Sequence, residues 1–405
     1  MEISFARPAR SRLQAPGFIV LAFAFLALAL KIYCAGTTFG TNDVALHFAY
    51  GKTISEKGLI ATYQSNPIFN HTPLTGEFFR TCYSLSKPDY ELFPFLLRLP
   101  GIIADFLVVL ALIRLREQTG SPSWWALGLL AASPVSFMVS GYHGNVDPVM
   151  VLFLVLAGCG CVKSRPVLCG FFLGMACNIK IIAILLSPVF FFYWLHRKQA
   201  SGFALAVFIT TLLNFIVPLL TAPEVFLKNV FGYSSYFGIW GITYWLRETN
   251  WNEVQNISCI FLTQTQFVIM YVLKGLIIAT IPLLAWCRRK ENDIFSTLAV
   301  AWFVFFAFAP GVCAQYLVWP APFVLCFSLR GYLALTAASS LFLFFFYNVI
   351  SKGMPWNLGI SLNLLTPQWV AWTNWPWAAV VACLFYSMKK LRDNAMNSKA
   401  PPADY

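Results

Sequence analysis

Long apolar runs recur from residue 17 to residue 388, and clusters of Lys and Arg punctuate them. No other feature limits the fold as much, because about 20 consecutive apolar residues cross the roughly 30 Å of hydrocarbon in a bilayer. The first run, Gly17–Ala35, follows Arg7, Arg10 and Arg12. Its core is too long for a signal peptide, so it reads as an uncleaved first helix with a cytoplasmic N-terminus. Downstream markers are Arg114/Arg116, Lys163/Arg165, Arg197/Lys198, Arg288/Arg289/Lys290, Arg330 and Lys389/Lys390/Arg392. If basic clusters stay in the cytoplasm, an even number of crossings separates each from the next. Twelve spans satisfy this, near 17–36, 93–113, 124–140, 148–162, 166–179, 181–195, 202–220, 266–286, 294–310, 316–329, 331–350 and 376–388. The short pair at 166–179 and 181–195 is forced by its basic flanks.

Composition agrees. Charged residues make up 11% of the chain, against about 25% in a soluble domain. That is too little charge to cover a globular surface, which excludes a soluble enzyme, a disordered chain and a nucleic-acid binder. The net charge of +12 is then a matter of topology. The eleven cysteines lie mostly inside apolar runs, where Cys acts as a small hydrophobe. None is spaced for a metal, and no nucleotide-binding motif occurs.

The expectation is an all-α polytopic membrane protein, one domain over residues 1–405. It has a first span at 17–36, an outer loop at 37–92, further spans over 93–388 and a cytoplasmic tail at 389–405. The long polar segments at 37–92, 221–265 and 351–375 all fall outside, so the chemistry is expected there. Within the first loop, Leu46, Tyr50 and Ile54 recur at helical spacing over Asn42–Gly58, as in a helix lying on a membrane surface. Thr41 or Asn42 would cap it and place Asp43 in its first turn. Thr72–Leu85 reads as a second interfacial helix, with Pro73 near its start.

Several polar residues stand out in this apolar chain. Asp43, just beyond the first span, could deprotonate a hydroxyl at the lipid–water boundary; its plain reading is a carboxylate facing a helix dipole. In Gly141-Tyr-His-Gly-Asn-Val-Asp147-Pro, the residues His143, Asn145 and Asp147 could face a cavity, or the loop could be a capped tight turn. Lys180 sits deep in apolar sequence, where it either snorkels or meets a lipid phosphate. Arg98 could reach a phosphate near the outer surface, whereas Asp105, two turns on, suits a structural partner. Gln315, Tyr316 and Trp319 could form a sugar-binding surface or belong to an aromatic belt.

These segments fall in a recognisable order: Asn42-Asp43-x-x-x-His47-Phe48-Ala49, Tyr63, Phe69-Asn70-His71-Thr72-Pro73-Leu74, Arg98-Leu-Pro-Gly-Ile-Ile-Ala-Asp105, Gly141-x-x-Gly144-Asn145-x-Asp147, Gly170-x-x-x-Gly174-x-x-x-Asn178-x-Lys180 and Gln315-Tyr316-Leu-Val-Trp319. Over roughly residues 40–320 the set resembles integral-membrane GT-C glycosyltransferases that use polyprenyl-phosphate sugars. Family 87 and the first mannosyltransferase of the GPI pathway are the most similar groups. Ala45 stands where the GPI-pathway enzyme has the second acid of D-x-D, Asn145 replaces a Gln of relatives, and His71-Thr-Pro-Leu replaces Y-P-P-L or Y-T-P-L.

The resemblance implies a GT-C-like bundle of about 12 spans with interfacial helices in the first outer loop. It implies transfer of a hexose, mannose by preference, from a polyprenyl-phosphate donor to a lipid- or glycan-linked acceptor hydroxyl. The reaction would be inverting and free of cofactor and divalent metal. Asp43 would be the base, Lys180 and Arg98 would hold the phosphate, and His71, His143, Asn145, Asp147, Gln315, Tyr316 and Trp319 would bind sugar or acceptor. The partners would be donor, acceptor and membrane lipids, without nucleic acid, in a bacterial inner membrane in preference to the endoplasmic reticulum, with the site on the outer or lumenal side. The rival reading is a twelve-span secondary transporter, although residues 17–195 and 202–388 show no internal repeat.

Overall fold

The computed structural model describes residues 15–87, 89–233, 237–246, 262–351 and 367–397. Among them every regular element is helical. In chain order these are α1 (Ala15–Thr37), α2 (Asn42–Lys57), α3 (Leu59–Ser65), α4 (Pro73–Leu85), α5 (Phe93–Thr119), α6 (Trp124–Ala131) and α7 (Pro134–Ser136), which runs into a π-helical segment, Phe137–His143. Then come α8 (Asp147–Val162), α9 (Pro166–Ile179), a 3-10 turn at Ile181–Leu186, α10 (Ser187–His196), α11 (Ala200–Thr221), α12 (Pro223–Phe231) and α13 (Gly241–Trp245). The chain ends with α14 (Gln264–Cys287), α15 (Ile294–Phe308), a 3-10 turn at Ala314–Val318, α16 (Ala321–Phe327), α17 (Leu329–Ile350), α18 (Pro367–Trp372) and α19 (Asn374–Asn397).

Each expected span coincides with a helix. Among the described residues, six stretches are long and apolar enough to cross a membrane: Ala15–Thr37, Tyr90–Thr119, Trp124–His143, Ala200–Thr221, Gln264–Cys287 and Leu329–Ile350. Shorter apolar helices at Asp147–Val162, Pro166–Ile179, Ile181–His196, Ile294–Phe308 and Ala314–Phe327 take most of the remaining expected positions. The chain is an all-α polytopic membrane protein. Much of the expected outer segments 221–265 and 351–375, and part of the tail, lie outside the described residues.

Two apolar cores coexist. The larger runs through the span helices and is centred on α15, whose residues Ile294–Ala307 are all buried. The smaller unites α2, α3, α4 and α12 with the nearby ends of α5 and α11 through Tyr50, Ile54, Tyr63, Phe69, Phe79, Phe93, Phe215 and Phe226. Tyr63, Phe69 and Phe79 are fully buried, each stabilising this cap by about 1.5–3 kcal/mol. Cap formation changes the face that α2 was expected to bury. Val44, His47, Tyr50, Gly51 and Ile54 pack inward, while Leu46 of the expected stripe is exposed.

Local chemistry sets the helix starts. Thr41 Oγ1 accepts from the Asp43 backbone N–H, satisfying one of the donors that a helix start leaves orphaned. Pro73 and Pro148 occupy first-turn positions, where a missing N–H is harmless. Gly144 is left-handed, at φ 87°, and a Cβ there would collide with the Val44 side chain. Glycine thus lets the loop after the π-helical segment lie directly against the start of α2.

Candidate functional site

The ends of α1, the π-helical segment and α9, the starts of α5 and α8, and the Ala314–Val318 turn meet beneath the cap. Arg98 organises this junction. Its guanidinium donates to the carbonyls of Pro94, Ala35, Gly141, Tyr142 and Thr38 and to the Thr38 hydroxyl. With no exposure at all, it ties α1 and the π-helical segment to α5. Its expected role at a lipid phosphate is therefore corrected: backbone carbonyls take up its donors, because buried carbonyls at helix ends need partners.

Asp43 faces the junction from the first turn of α2. Its Oδ2 accepts from His143 Nε2 at 3.0 Å, Asn145 Nδ2 at 2.9 Å and Gln315 Nε2 at 3.4 Å. Among the described residues no hydrogen bond reaches Oδ1, and the side chain is 33% exposed. One oxygen is clamped and the other is open. Burial pushes the carboxyl pKa up, but the hydrogen bond and charge of His143, with His47 and Asn145, more than offset this and hold it below its ordinary value. The carboxylate is ionised at neutral pH.

His143 links Asp43 to the far side of the bundle, with Nδ1 at 2.7 Å from the Tyr347 hydroxyl. Which ring nitrogen carries the proton sets whether Nδ1 accepts from or donates to the phenol oxygen. The Thr41 hydroxyl donates to the His143 carbonyl at 2.8 Å, so the same short segment positions both ends of the Asp43–His143 contact. Asn145 Oδ1 meanwhile accepts from Val146 N. His143, Asn145 and Gln315, expected to touch sugar or acceptor, instead surround the carboxylate.

Lys180 and Asp147 form a second unit. The ammonium donates to both carboxylate oxygens at 2.9 and 3.0 Å, and Trp319 Nε1 donates to Oδ1 at 2.5 Å. Asp147 is fully buried, so it does not face a cavity as expected. Tyr316 and Trp319 stack on each other at 4.0 Å between centroids, and the Lys180 ammonium lies 4.4 and 5.3 Å from their rings. Their edges border a cavity of about 330 Å³ that His71, Lys180 and Lys274 also line. Its remaining walls are mainly Ile179, Ile181, Ile182, Ile184, Leu185, Ile277 and Ile278. Ile184 also borders an apolar groove between α10 and α11.

Two short paths join cavity and carboxylate. Gln315, bonded to Asp43, precedes the cavity-lining Tyr316. His47, one turn after Asp43, stacks on Phe79 at 4.3 Å and meets the cavity-lining His71 edge-on at 5.0 Å. Thr75 anchors this arrangement by donating to the Ile179 carbonyl at 2.7 Å, beside Lys180. Burial lowers the His47 pKa to about 4, with help from the charges of His143 and Lys180 and against Asp43. Burial likewise depresses His71 well below its ordinary value, followed by the charges of His47 and Lys180. Both imidazoles are neutral at pH 7.

Residues 70–196 match the MptA_B family model, described as the N-terminal domain of alpha-(1->6)-mannopyranosyltransferase. This stretch is similar to a mannosyltransferase domain. The matched part, just under a third of the chain, contains His71, Arg98, His143, Asn145, Asp147 and Lys180 but not Asp43. It supports a glycosyltransferase, in agreement with the GT-C family 87 resemblance, and not the transporter alternative. A comparison with curated proteins finds no match.

Three residues at the site receive no role from the sequence, although His47 belongs to the first motif quoted above. His47 could have been found from its i+4 spacing to Asp43, which puts both on one helix face. Lys274 interrupts an apolar run, a signal in its own right. Tyr347 offers no local sign, since 204 positions separate it from His143. Among the described residues, no group of three or more His, Cys, Asp or Glu could hold a metal ion.

Proposed function

We propose that the chain transfers a mannosyl group from a polyprenyl-phosphate carrier to a hydroxyl of a lipid- or glycan-linked acceptor. The reaction takes place on the non-cytoplasmic face of a bacterial inner membrane. One observation carries this reading: a cavity with ammonium groups and apolar walls is linked, through Tyr316–Gln315 and His71–His47, to a carboxylate with one oxygen that no hydrogen bond reaches among the described residues. A lipid-linked sugar phosphate has this division of properties, an anionic head on an apolar chain. The apolar groove reached past Ile184 suits the chain, and the Lys180 end suits the head.

In the proposed reaction the acceptor hydroxyl gives its proton to Asp43 Oδ1 while its oxygen attacks the anomeric carbon. The bond from that carbon to the phosphate oxygen breaks, and its electron pair leaves with the phosphate. A single displacement inverts the anomeric centre. Phosphate is a good leaving group, so no general acid is needed and a weakly basic carboxylate suffices. His143 and Asn145 steady the carboxylate, and the ammonium groups stabilise charge developing on the phosphate. No resident metal enters this scheme.

The test is transfer of radiolabelled mannose in proteoliposomes from polyprenyl-phosphate mannose to a mannoside acceptor, with and without a chelator. The expected result is chelator-insensitive formation of a mannoside of inverted configuration. Activity with a nucleotide-linked mannose in place of the lipid donor would overturn the donor reading. Uptake of label without a new glycosidic bond would overturn glycosyl transfer.

A further inference from the structure

We infer that Asn70 and His71, on the donor reading above, hydrogen-bond the hydroxyls of the hexose and so choose which sugar is transferred. Their polar neighbours are spent on partners within the protein. Thr72 Oγ1 donates to the Asn178 carbonyl and Thr75 Oγ1 to that of Ile179, while Lys180 and Trp319 both donate to Asp147. Asn70 and His71 differ. Both line the cavity, and among the described residues no hydrogen bond reaches either side chain. Of the other residues expected to touch sugar, His143, Asn145 and Gln315 surround Asp43, and Asp147 is sealed.

The loop between α3 and α4 holds the pair in place. The Tyr63 hydroxyl donates to the His71 carbonyl at 2.6 Å, and Asn229 Nδ2 donates to the Tyr63 and Asn66 carbonyls at 3.0 and 3.3 Å. The His71 ring packs against Tyr50, Phe69, Phe79 and His47, with centroids 5.8, 5.7, 4.9 and 5.0 Å away. Its orientation is therefore set before a ligand arrives, which lowers the entropy lost on binding.

The chemistry of the pair selects the ligand group. A neutral imidazole offers one N–H and one acceptor nitrogen, and an amide offers two N–H groups and a carbonyl oxygen. A phosphate only accepts, so it would set its charge against the imidazole lone pair. A hydrocarbon chain would leave all these groups without partners. A pyranose hydroxyl both donates and accepts. Position agrees with this choice. Burial, followed by the charges of His47 and Lys180, keeps the His71 ring neutral, so ammonium and imidazole are near neighbours on one cavity wall. A sugar esterified to a phosphate at Lys180 then lies along His71, with His47 behind it and Asp43 one turn before His47.

The experiment compares binding of farnesyl phosphate and of mannosyl farnesyl phosphate to the purified full-length chain in nanodiscs. Wild type, Asn70→Ala and His71→Phe are measured, each with its melting temperature. His71→Phe keeps an aromatic ring among its neighbours and removes both nitrogens. Wild type should bind the mannosyl ester more tightly than the bare phosphate. Each variant should lose about 3- to 10-fold in binding of the ester, as one neutral hydrogen bond predicts, with binding of farnesyl phosphate unchanged. Asn70→Ala should also melt as wild type does, because that side chain has no hydrogen-bond partner to lose; it carries the test alone if His71→Phe does not fold.

Unchanged binding of the ester in the folded variants, or equal weakening of both ligands, would overturn the inference while the donor reading stands. Unchanged donor binding with a raised KM for the acceptor would also overturn it, by moving the pair to the acceptor. Failure of the wild-type chain to bind either ligand would overturn the donor reading itself.

Discussion

Among the described residues, two buried lysine–aspartate pairs have contrasting surroundings. Within the span bundle, Lys31 Nζ meets Asp105 Oδ2 at 2.8 Å, and the hydroxyls of Ser136 and Ser140 donate to the same oxygen. Its side chains are 5% and 12% exposed, and Lys31 also lines a largely apolar cavity of about 750 Å³. Beneath the cap, Asp147 is sealed, but Lys180 keeps 19% exposure, lies over two aromatic rings and borders a cavity. The difference teaches that ion pairing inside this protein does not by itself mark a site. Both pairs join helices and border open space, but only the cavity beside Lys180 is lined by Tyr316, whose neighbour Gln315 bonds to Asp43.

The largest expected effect tests the chemistry next to the second pair. Asp43→Asn retains size and leaves the Thr41 cap in place but cannot take a proton. Turnover should fall by about 10²–10⁴-fold with donor binding and melting temperature near wild type. A plain helix-start carboxylate would be worth about 1 kcal/mol or less, so turnover within about threefold of wild type would remove Asp43 from the mechanism.

The two pairs themselves can be broken in parallel. Lys31→Met leaves Asp105 charged among hydroxyls and should cost about 3–5 kcal/mol, while the double variant Lys31→Met/Asp105→Leu should recover most of it. The matching double variant Lys180→Met/Asp147→Leu should recover stability but not transfer activity. Unfolding in detergent and a donor-saturated activity assay read both. If the second double variant is fully active, the comparison between the pairs collapses.

A smaller effect separates cap from bundle. His47 is neutral in the fold with a pKa near 4, against an ordinary 6.5. Below about 6.5 the unfolded chain takes a proton that the folded chain refuses until about 4. Its contribution to stability is therefore complete above 6.5 and lost as pH falls toward 4. The melting temperature should fall over that window, and less steeply in His47→Gln. An identical slope in wild type and His47→Gln would sink this account.

Smallest of all should be Tyr347→Phe, which removes one hydroxyl from His143 Nδ1. About 1 kcal/mol of a hydrogen bond is at stake, or roughly a fivefold loss of turnover. A loss as large as that of Asp43→Asn would mean that Tyr347 takes part directly in the proton transfer.

Much of this protein was legible before its tertiary structure. The alternation of apolar runs and basic clusters located the span helices, because length and hydropathy are local properties and a bilayer tests them locally. Thr41, Pro73 and Pro148 marked helix starts by the backbone groups they satisfy or lack. Asp43 was visible as a lone acid just past the first span, and Asp105 as an acid suited to a structural partner. What only the tertiary structure decided was how each polar group is used. Arg98 and Lys180 are equally cationic in the sequence, yet one is spent on carbonyls and the other borders a cavity. Tyr347 and Lys274 reach the site from helices far along the chain. A buried polar group takes whichever partner packing brings within about 3 Å, and no local pattern of residues encodes that meeting.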